Sequence, residues 1–235
     1  MSRPLHPHGL VRLPAWKRAL DLTGCLLALP VLAACAGAMA LLTRLVSPGP
    51  VLFRQERVGL HGRRFWLYKF RTMIVGADSA GHRSHFQDLV RSNAPMEKLD
   101  ARGDTRLIPG AWFLRATGLD ELPQIINVLR GEMSLVGPRP CLPSEYALCR
   151  RQQRRRLATP PGLTGLWQVS GKNRTTFAEM VRLDVAYAER RSWWLDLKII
   201  ALTPAVLLRQ VRESRAARDA VKRAAAGPTF ALPEA

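Results

Sequence analysis

"LTGCLLALPVLAACAGAMALLTRL", residues Leu22 to Leu45, carries no charge before Arg44 and decides what kind of fold this chain can adopt. At roughly 20 residues per bilayer crossing the run is long enough to span a membrane. Three readings compete for it. A cleaved signal would use the basic residues Arg12, Lys17 and Arg18 and the small-residue box "LAAC" at Leu32 to Cys35, but the apolar run continues past Cys35. A spanning helix should leave its cations mainly on one side, yet Lys17 and Arg18 precede the run while Arg44, Arg54, Arg57, Arg63 and Arg64 follow it. The third reading is a re-entrant hairpin: Pro30, after Leu29, removes a backbone donor and breaks the helix into two arms that dip into one leaflet and return. That reading fits the cations best and keeps both ends on the cytoplasmic side.

Outward from this segment the chain is strongly basic. Its 235 residues carry a net charge of +18 with a pI near 11.2, so its partner is anionic: nucleic acid, an acidic membrane surface or a phosphorylated substrate. At 47% hydrophobic it can bury one core. The cysteines, Cys25, Cys35, Cys141 and Cys149, lack metal-ligand spacing and point to a reducing compartment.

After the turn cluster "SPGP" (Ser47 to Pro50) come two strand-like runs, Val51 to Val58 and Arg64 to Met73, joined by "GLHG". Alternation sets Trp66, Tyr68 and Phe70 on one face and Phe65, Leu67, Lys69 and Arg71 on the other. From Ala77 to Asp104 the sequence is polar and reads as a loop with a short helix around His85 to Ser92. Helical spacing of Leu122, Ile125, Ile126 and Leu129 predicts a helix stopped by Gly131. A basic helix then leads into a glycine-punctuated loop, and two further helices follow, the first capped by Thr175 or Thr176. Trp193 and Trp194, beside Arg190 and Arg191, suit a helix at the membrane interface, although a core helix has the same pattern.

"GLDELPQIINVLRGEMSLVGPRP", Gly118 to Pro140, holds the chemistry. Pro123 is tolerated only in a first helical turn, so Asp120 and Glu121 fall at a helix N-terminus, where plain capping is the default role. A helix N-terminus also keeps a carboxylate ionised and welcomes phosphate oxygens. Arg115 lies just upstream and Arg139, between Pro138 and Pro140, just downstream. Adjacent carboxylates suit Mg²⁺.

The blocks "KRALDL", "SPGPVLFRQERVGLHGRRFWLYKFRTM", "LRATGLDELPQIINVLRGEMSLVGPRP", "PPGLTGLWQVSGKN" and "LDVAYAERRSWWLDLKIIALT" resemble, in order from about Lys17 to Leu208, the bacterial sugar transferases that are monotopic phosphoglycosyl transferases. The resemblance implies an α+β fold: a mostly helical, membrane-associated (monotopic) catalytic domain with a small β-hairpin and an N-terminal re-entrant helix-break-helix. It implies the minimal catalytic form, without the four-helix membrane bundle of larger members. The corresponding divisions are a tail (1–16), a membrane hairpin (17–46), a catalytic domain (47–212) and a basic, frayed tail (213–235).

The implied reaction moves a sugar 1-phosphate from a nucleotide sugar, usually a UDP-sugar, to polyprenyl phosphate and releases UMP. Its setting is the cytoplasmic face of the bacterial inner membrane, with anionic lipids and no nucleic acid as partners. Such a step initiates exopolysaccharide, capsule, O-antigen or glycoprotein glycan assembly. Oligomeric state is left open, a homodimer included.

Carried over by motif, Asp120 is the nucleophile and Glu121 its dyad partner, the two sharing Mg²⁺. Arg115 and Arg139 are phosphate-binding residues, with Lys172, Lys69 and Arg71 as further cations. Pro30, Leu29, Trp193 and Trp194 are the membrane residues. Two departures stand out: Leu29-Pro30 replaces the family's Ser-Pro, and Gly171-Lys172-Asn173 replaces its Gly-Arg-Asn, which leaves a point charge where a bidentate fork is usual. The rival of another class is a non-catalytic basic protein that binds acidic lipid or nucleic acid through "RRQQRRR", Arg150 to Arg156.

Overall fold

A computed structural model of the chain describes residues 13–77, 88, 92–96 and 106–225. Most of the polar loop, with His82 and His85 and nearly all of its expected short helix, lies outside the described residues, as do residues 1–12 and 226–235.

Helix α1 (Ala15–Val46) holds the apolar run and stays helical through Pro30. The expected helix-break-helix is therefore a single helix here. Proline costs one hydrogen bond and a local clash, while Ala28 on one side of it and Leu32 on the other pack against the core and hold the backbone.

One face of α1 meets the body of the protein along its whole length. Lys17, Asp21, Cys25, Met39 and Thr43 are buried, at helical spacing. Cys25 packs with Phe65, Leu67, Ile125, Val128 and Met133, and Met39 with Phe70, Ile108 and Ala111. The other face is apolar and exposed, with Leu26 at 67% and Leu27 at 74%.

The first two turns of α1 are bolted down by polar contacts. Lys17 Nζ donates to the Val136 carbonyl (2.9 Å), the Tyr187 hydroxyl (3.0 Å) and Asp196 Oδ2 (2.6 Å). Arg18 donates to the carbonyls of Val128 and Leu129, both at 2.7 Å, and Asp21 accepts from the Ser134 hydroxyl and the Leu135 N–H, both at 2.8 Å. Lys17 and Arg18 thus do more than mark a membrane side: they complete the core.

Strands β1 (Leu52–Val58) and β2 (Arg64–Phe70) form the expected antiparallel hairpin, in a register that pairs Phe53 with Lys69, Gln55 with Leu67 and Arg57 with Phe65. Those pairs share one face, which buries Arg57, Phe65 and Leu67 but leaves Phe53 exposed, and Trp66 on the other face is exposed too. Next come α2 (Ala111–Thr117), a 3₁₀ segment (Leu119–Gln124) and α3 (Ile125–Leu129). Gly131 ends the last of these at φ 76°, but Leu129, expected in the apolar face, is exposed.

A parallel pair unanticipated from sequence follows: β3 (Ser134–Val136) against β4 (Gly162–Thr164). Between them lie α4 (Pro143–Leu148) and a 3₁₀ segment (Gln153–Ala158). Backbone meets backbone beyond the pair, since a Cβ built on Gly162 would stand 2.0 Å from the Gly137 nitrogen. Only glycine permits that approach.

Helix α5 (Leu166–Val169) is one turn. Helix α6 (Phe177–Arg190) opens on a capping box, Thr176 accepting from the Glu179 N–H and Glu179 reaching back to the Thr176 N–H. Helix α7 (Trp193–Ala225) runs through Pro204 and includes residues 213–225, where composition suggested a frayed tail. Alanine and arginine there are good helix formers. Side-chain contacts also tie the end back, Arg174 to Glu213 at 2.8 Å and Arg218 over the Trp112 ring at 4.7 Å.

Candidate active site

A glycine corner places the acid pair. Gly118, at φ 74°, is both the end of α2 and the start of the 3₁₀ segment that carries Asp120 and Glu121 in its first turn. It takes the cap position that the sequence offered to Asp120, and its left-handed backbone favours glycine. Arg115, in the last turn of one helix, and the acids, in the first turn of the next, thus flank the same glycine in sequence. Asp120 is buried and Glu121 half-exposed.

Across from them lies β2. Lys69 Nζ donates to Glu121 Oε1 at 2.7 Å, so alternation along the strand delivers a cation to the dyad. Arg71, two residues on, does not join it. Its guanidinium donates to the carbonyl of Pro50 (2.7 Å), the hydroxyl of Ser47 (2.8 Å) and the carbonyl of Ser47. It therefore fastens the exit of α1 to the hairpin.

A second group forms around α7. Arg115 donates to the Thr72 hydroxyl at 3.1 Å, and its carbonyl accepts from Gln210 Nε2 at 3.1 Å. Gln210 Oε1 in turn accepts from Lys172 Nζ at 2.6 Å. Lys172 sits at φ 45° just after Gly171, so its loop is turned sharply to make this reach. Arg115 and Lys172, 57 positions apart in sequence, are thus joined through one glutamine.

Arg139 belongs to a third, buried group. Its Nη1 donates to Glu145 at 2.8 and 3.1 Å, its N–H donates to Asp184 Oδ2 at 3.3 Å, and its carbonyl accepts from Arg156 at 2.6 Å. Arg156 and Asp184 form an ion pair of 2.7 Å, both fully enclosed. Burial opposes the charge on Glu145, but Arg139, Arg57 and the Leu142 N–H together overcome it and hold that carboxyl below its usual range. Burial raises Asp184 to about 6, against the pull of Arg156.

Arg57 connects the groups. Burial, then repulsion by Arg139, brings its guanidinium down to about 10, while Glu145 and Glu121 pull the other way. It donates to the Pro140 carbonyl at 3.2 Å and to Gln55 at 2.6 Å. Sequence reading missed its place here, although its pairing with Phe65 on the Lys69 face was recoverable from alternation. No local signal marks Gln210, Glu145 or Asp184.

Leu29 and Pro30 lie on exposed parts of α1. Trp193 and Trp194 stack at 3.9 Å and are exposed at the start of α7. None of these four touches the acid pair through any described contact.

Two carboxylates meet the usual demand of Mg²⁺, which takes one or two of them plus substrate phosphates. Among the described residues no group of three or more His, Cys, Asp and Glu converges, so the remaining ligands would fall to phosphate oxygens and water. The donor set therefore fits a hard cation held jointly with substrate.

The profile of the family described as Bacterial sugar transferase matches residues 13–210. The Galactosyl transferase CpsE of Streptococcus agalactiae serotype III (strain NEM316) is 44% identical over 196 residues, 82% of this chain and 42% of that protein. The Uncharacterized sugar transferase EpsL of Bacillus subtilis (strain 168) is 39% identical over 191 residues, 80% of this chain and 84% of that protein. A UDP-glucose:undecaprenyl-phosphate glucose-1-phosphate transferase of Caulobacter vibrioides (strain ATCC 19089 / CIP 103742 / CB 15) is 38% identical over 214 residues, covering 88% and 74%. The match thus covers less than half the length of the streptococcal relative.

Proposed function

Because the chain belongs to the bacterial sugar transferase family, we propose that it transfers a sugar 1-phosphate from a UDP-sugar to polyprenyl phosphate and releases UMP. The observation that carries this reading is the acid pair itself: Asp120 buried at a glycine corner, with Glu121 clamped to Lys69 at 2.7 Å. A pair that served only as a helix cap would not need the lysine that β2 delivers to it.

In the first step an Asp120 carboxylate oxygen attacks the phosphorus that bears the sugar. The bond from that phosphorus to the UMP oxygen breaks, and UMP leaves. In the second, a phosphate oxygen of the polyprenyl phosphate attacks the same phosphorus and the Asp120 carboxylate is regenerated. Covalent storage lets a soluble donor and a lipid acceptor use one site in turn. Arg115, with Lys172 linked to it through Gln210, is assigned to the substrate phosphates, and Lys69 orients Glu121. Asp120 and Glu121 would hold Mg²⁺, which when bound neutralises diphosphate charge. Arg139 acts from a distance, fixing the proline-flanked loop rather than reaching the acids.

The same reading sets the protein on the cytoplasmic face of a membrane, with its apolar α1 face in lipid. A crossing helix leaves the body behind at one end. Here Lys17 near one end of α1 and Thr43 near the other are both buried against one body, which supports a helix whose two ends stay on the same side.

The test is Asp120→Asn with a UDP-sugar donor. UMP release should fall by at least about 10³-fold, and the wild-type chain given donor alone should gain the mass of one phosphosugar on the peptide that contains Asp120. Near wild-type UMP release by the variant would remove the nucleophile. Unchanged, salt-sensitive nucleic-acid binding by that variant would favour the basic binder instead.

A further inference from the structure

A groove of about 580 Å³ opens where the first turns of α1 and α7 meet, walled by Trp16, Ala19, Leu20, Thr23, Trp193 and Leu197. Its walls are almost wholly apolar, and of the residues that line it only Thr23 and the two tryptophans carry a polar side-chain atom. The site chemistry above uses none of these residues. Lys17 and Asp196, next to the wall residues in sequence, turn the other way and pair with each other in the core.

Both walls continue. On α1 the stripe Trp16, Leu20, Thr23 runs on into Leu26 and Leu27, which are exposed. On α7 the stripe Trp193, Leu197 runs on, at helical spacing, into exposed Ala201 and Pro204. At the opposite end, Arg190 closes α6 and Arg191 leads into α7, three and two positions before Trp193. The slot therefore has two arginines just before its Trp193 wall in sequence and an apolar track leading on along each helix.

We propose that this slot seats one acyl chain of an anionic glycerophospholipid, with the phosphate at Arg190 and Arg191 and the chain lying between α1 and α7. A flexible hydrocarbon chain suits a narrow slot that continues into apolar surface, and a phosphate suits its basic mouth. A second copy of this chain does not suit it: at +18, copies would bring like charges together at that mouth. The seat fixes how deeply α7 lies in the interface, since Trp193 is both wall and headgroup-level aromatic.

The experiment is native mass spectrometry of the full chain released from nanodiscs of equal phosphatidylglycerol and phosphatidylcholine. Wild type should retain one phosphatidylglycerol. Filling the slot with Ala19→Phe/Thr23→Phe should reduce that retention about tenfold, with circular dichroism and UMP release unchanged, as neither residue belongs to the reaction site. Arg190→Ala/Arg191→Ala should still retain a lipid but lose the preference for phosphatidylglycerol.

Wild-type retention by the filled variant overturns the proposal. So does displacement of the retained lipid by added polyprenyl phosphate, which would make the slot the acceptor's, or a lipid-free dimer mass, which would give it to a second copy. Should the filled variant misfold, acyl-brominated phosphatidylglycerol as a minor component of phosphatidylcholine vesicles decides. It should quench wild-type tryptophan emission beyond random mixing, and Trp16→Phe/Trp193→Phe should lose that excess. Equal quenching of both proteins sinks the idea.

Discussion

Two ion pairs in this molecule have nearly the same length and opposite settings. Lys69 and Glu121 meet at 2.7 Å with side chains 24% and 41% exposed, whereas Arg156 and Asp184 meet at 2.7 Å with 1% and 0%. Water and incoming phosphates can compete for the first pair, so it is exchangeable and adds little to stability. The second is sealed among Arg139, Glu145 and Arg57 and has no such competitor. Removing one partner leaves a charge stranded. In the proposed reaction the first pair would have its charges released and remade, while the second holds the loop that carries Arg139.

The largest effect expected from breaking this contrast is Arg156→Ala, which should cost about 3–5 kcal/mol of unfolding free energy, measured by denaturant titration in detergent. Lys69→Met should do the reverse. It should slow UMP release by about 10²-fold while shifting unfolding by less than about 1 kcal/mol.

A pH series on stability sharpens the buried side. Asp184 sits at about 6 when folded, above its ordinary 3.8, so between those values the folded chain binds a proton that the unfolded chain has lost. Its contribution to stability therefore declines as pH rises from about 4 to about 6 and is level above. Asp184→Asn, less stable throughout, should lack that slope. The smallest effect belongs to Arg155 and Glu189, a pair of 2.8 Å with side chains 65% and 45% exposed. Arg155→Ala should change stability by less than about 0.5 kcal/mol.

What could be read in advance was local. The hairpin followed from two-residue alternation, the start of α6 from a capping threonine at 175 or 176, and the end of α3 from Gly131. Register then carried Lys69 to Glu121. What escaped depends on partners far away in sequence. Strands β3 and β4 are three residues each, too short for any period, and exist because glycines 137 and 162 let their backbones touch. Arg71 and Lys69 share a face in the pattern, yet one turns to Ser47 and the other to Glu121. The strand sequence does not encode where α1 ends. Gln210 looks like an ordinary surface residue until α7 lays it between Arg115 and Lys172. Pro30 reads as a helix breaker, and its effect is contained by packing that only the folded body provides.

The anchoring of α1 also orders events in time. Lys17 finds its ionic partner in Asp196, 179 residues later. At synthesis rates of 5–20 residues per second, roughly 10–40 s separate the two leaving the ribosome. Throughout that interval the most apolar helix of the chain exists with an unneutralised lysine in its first turn, one that cannot enter lipid cheaply. On the proposed membrane-surface reading, the first turn of α1 therefore stays at the water line until Asp196 has been made.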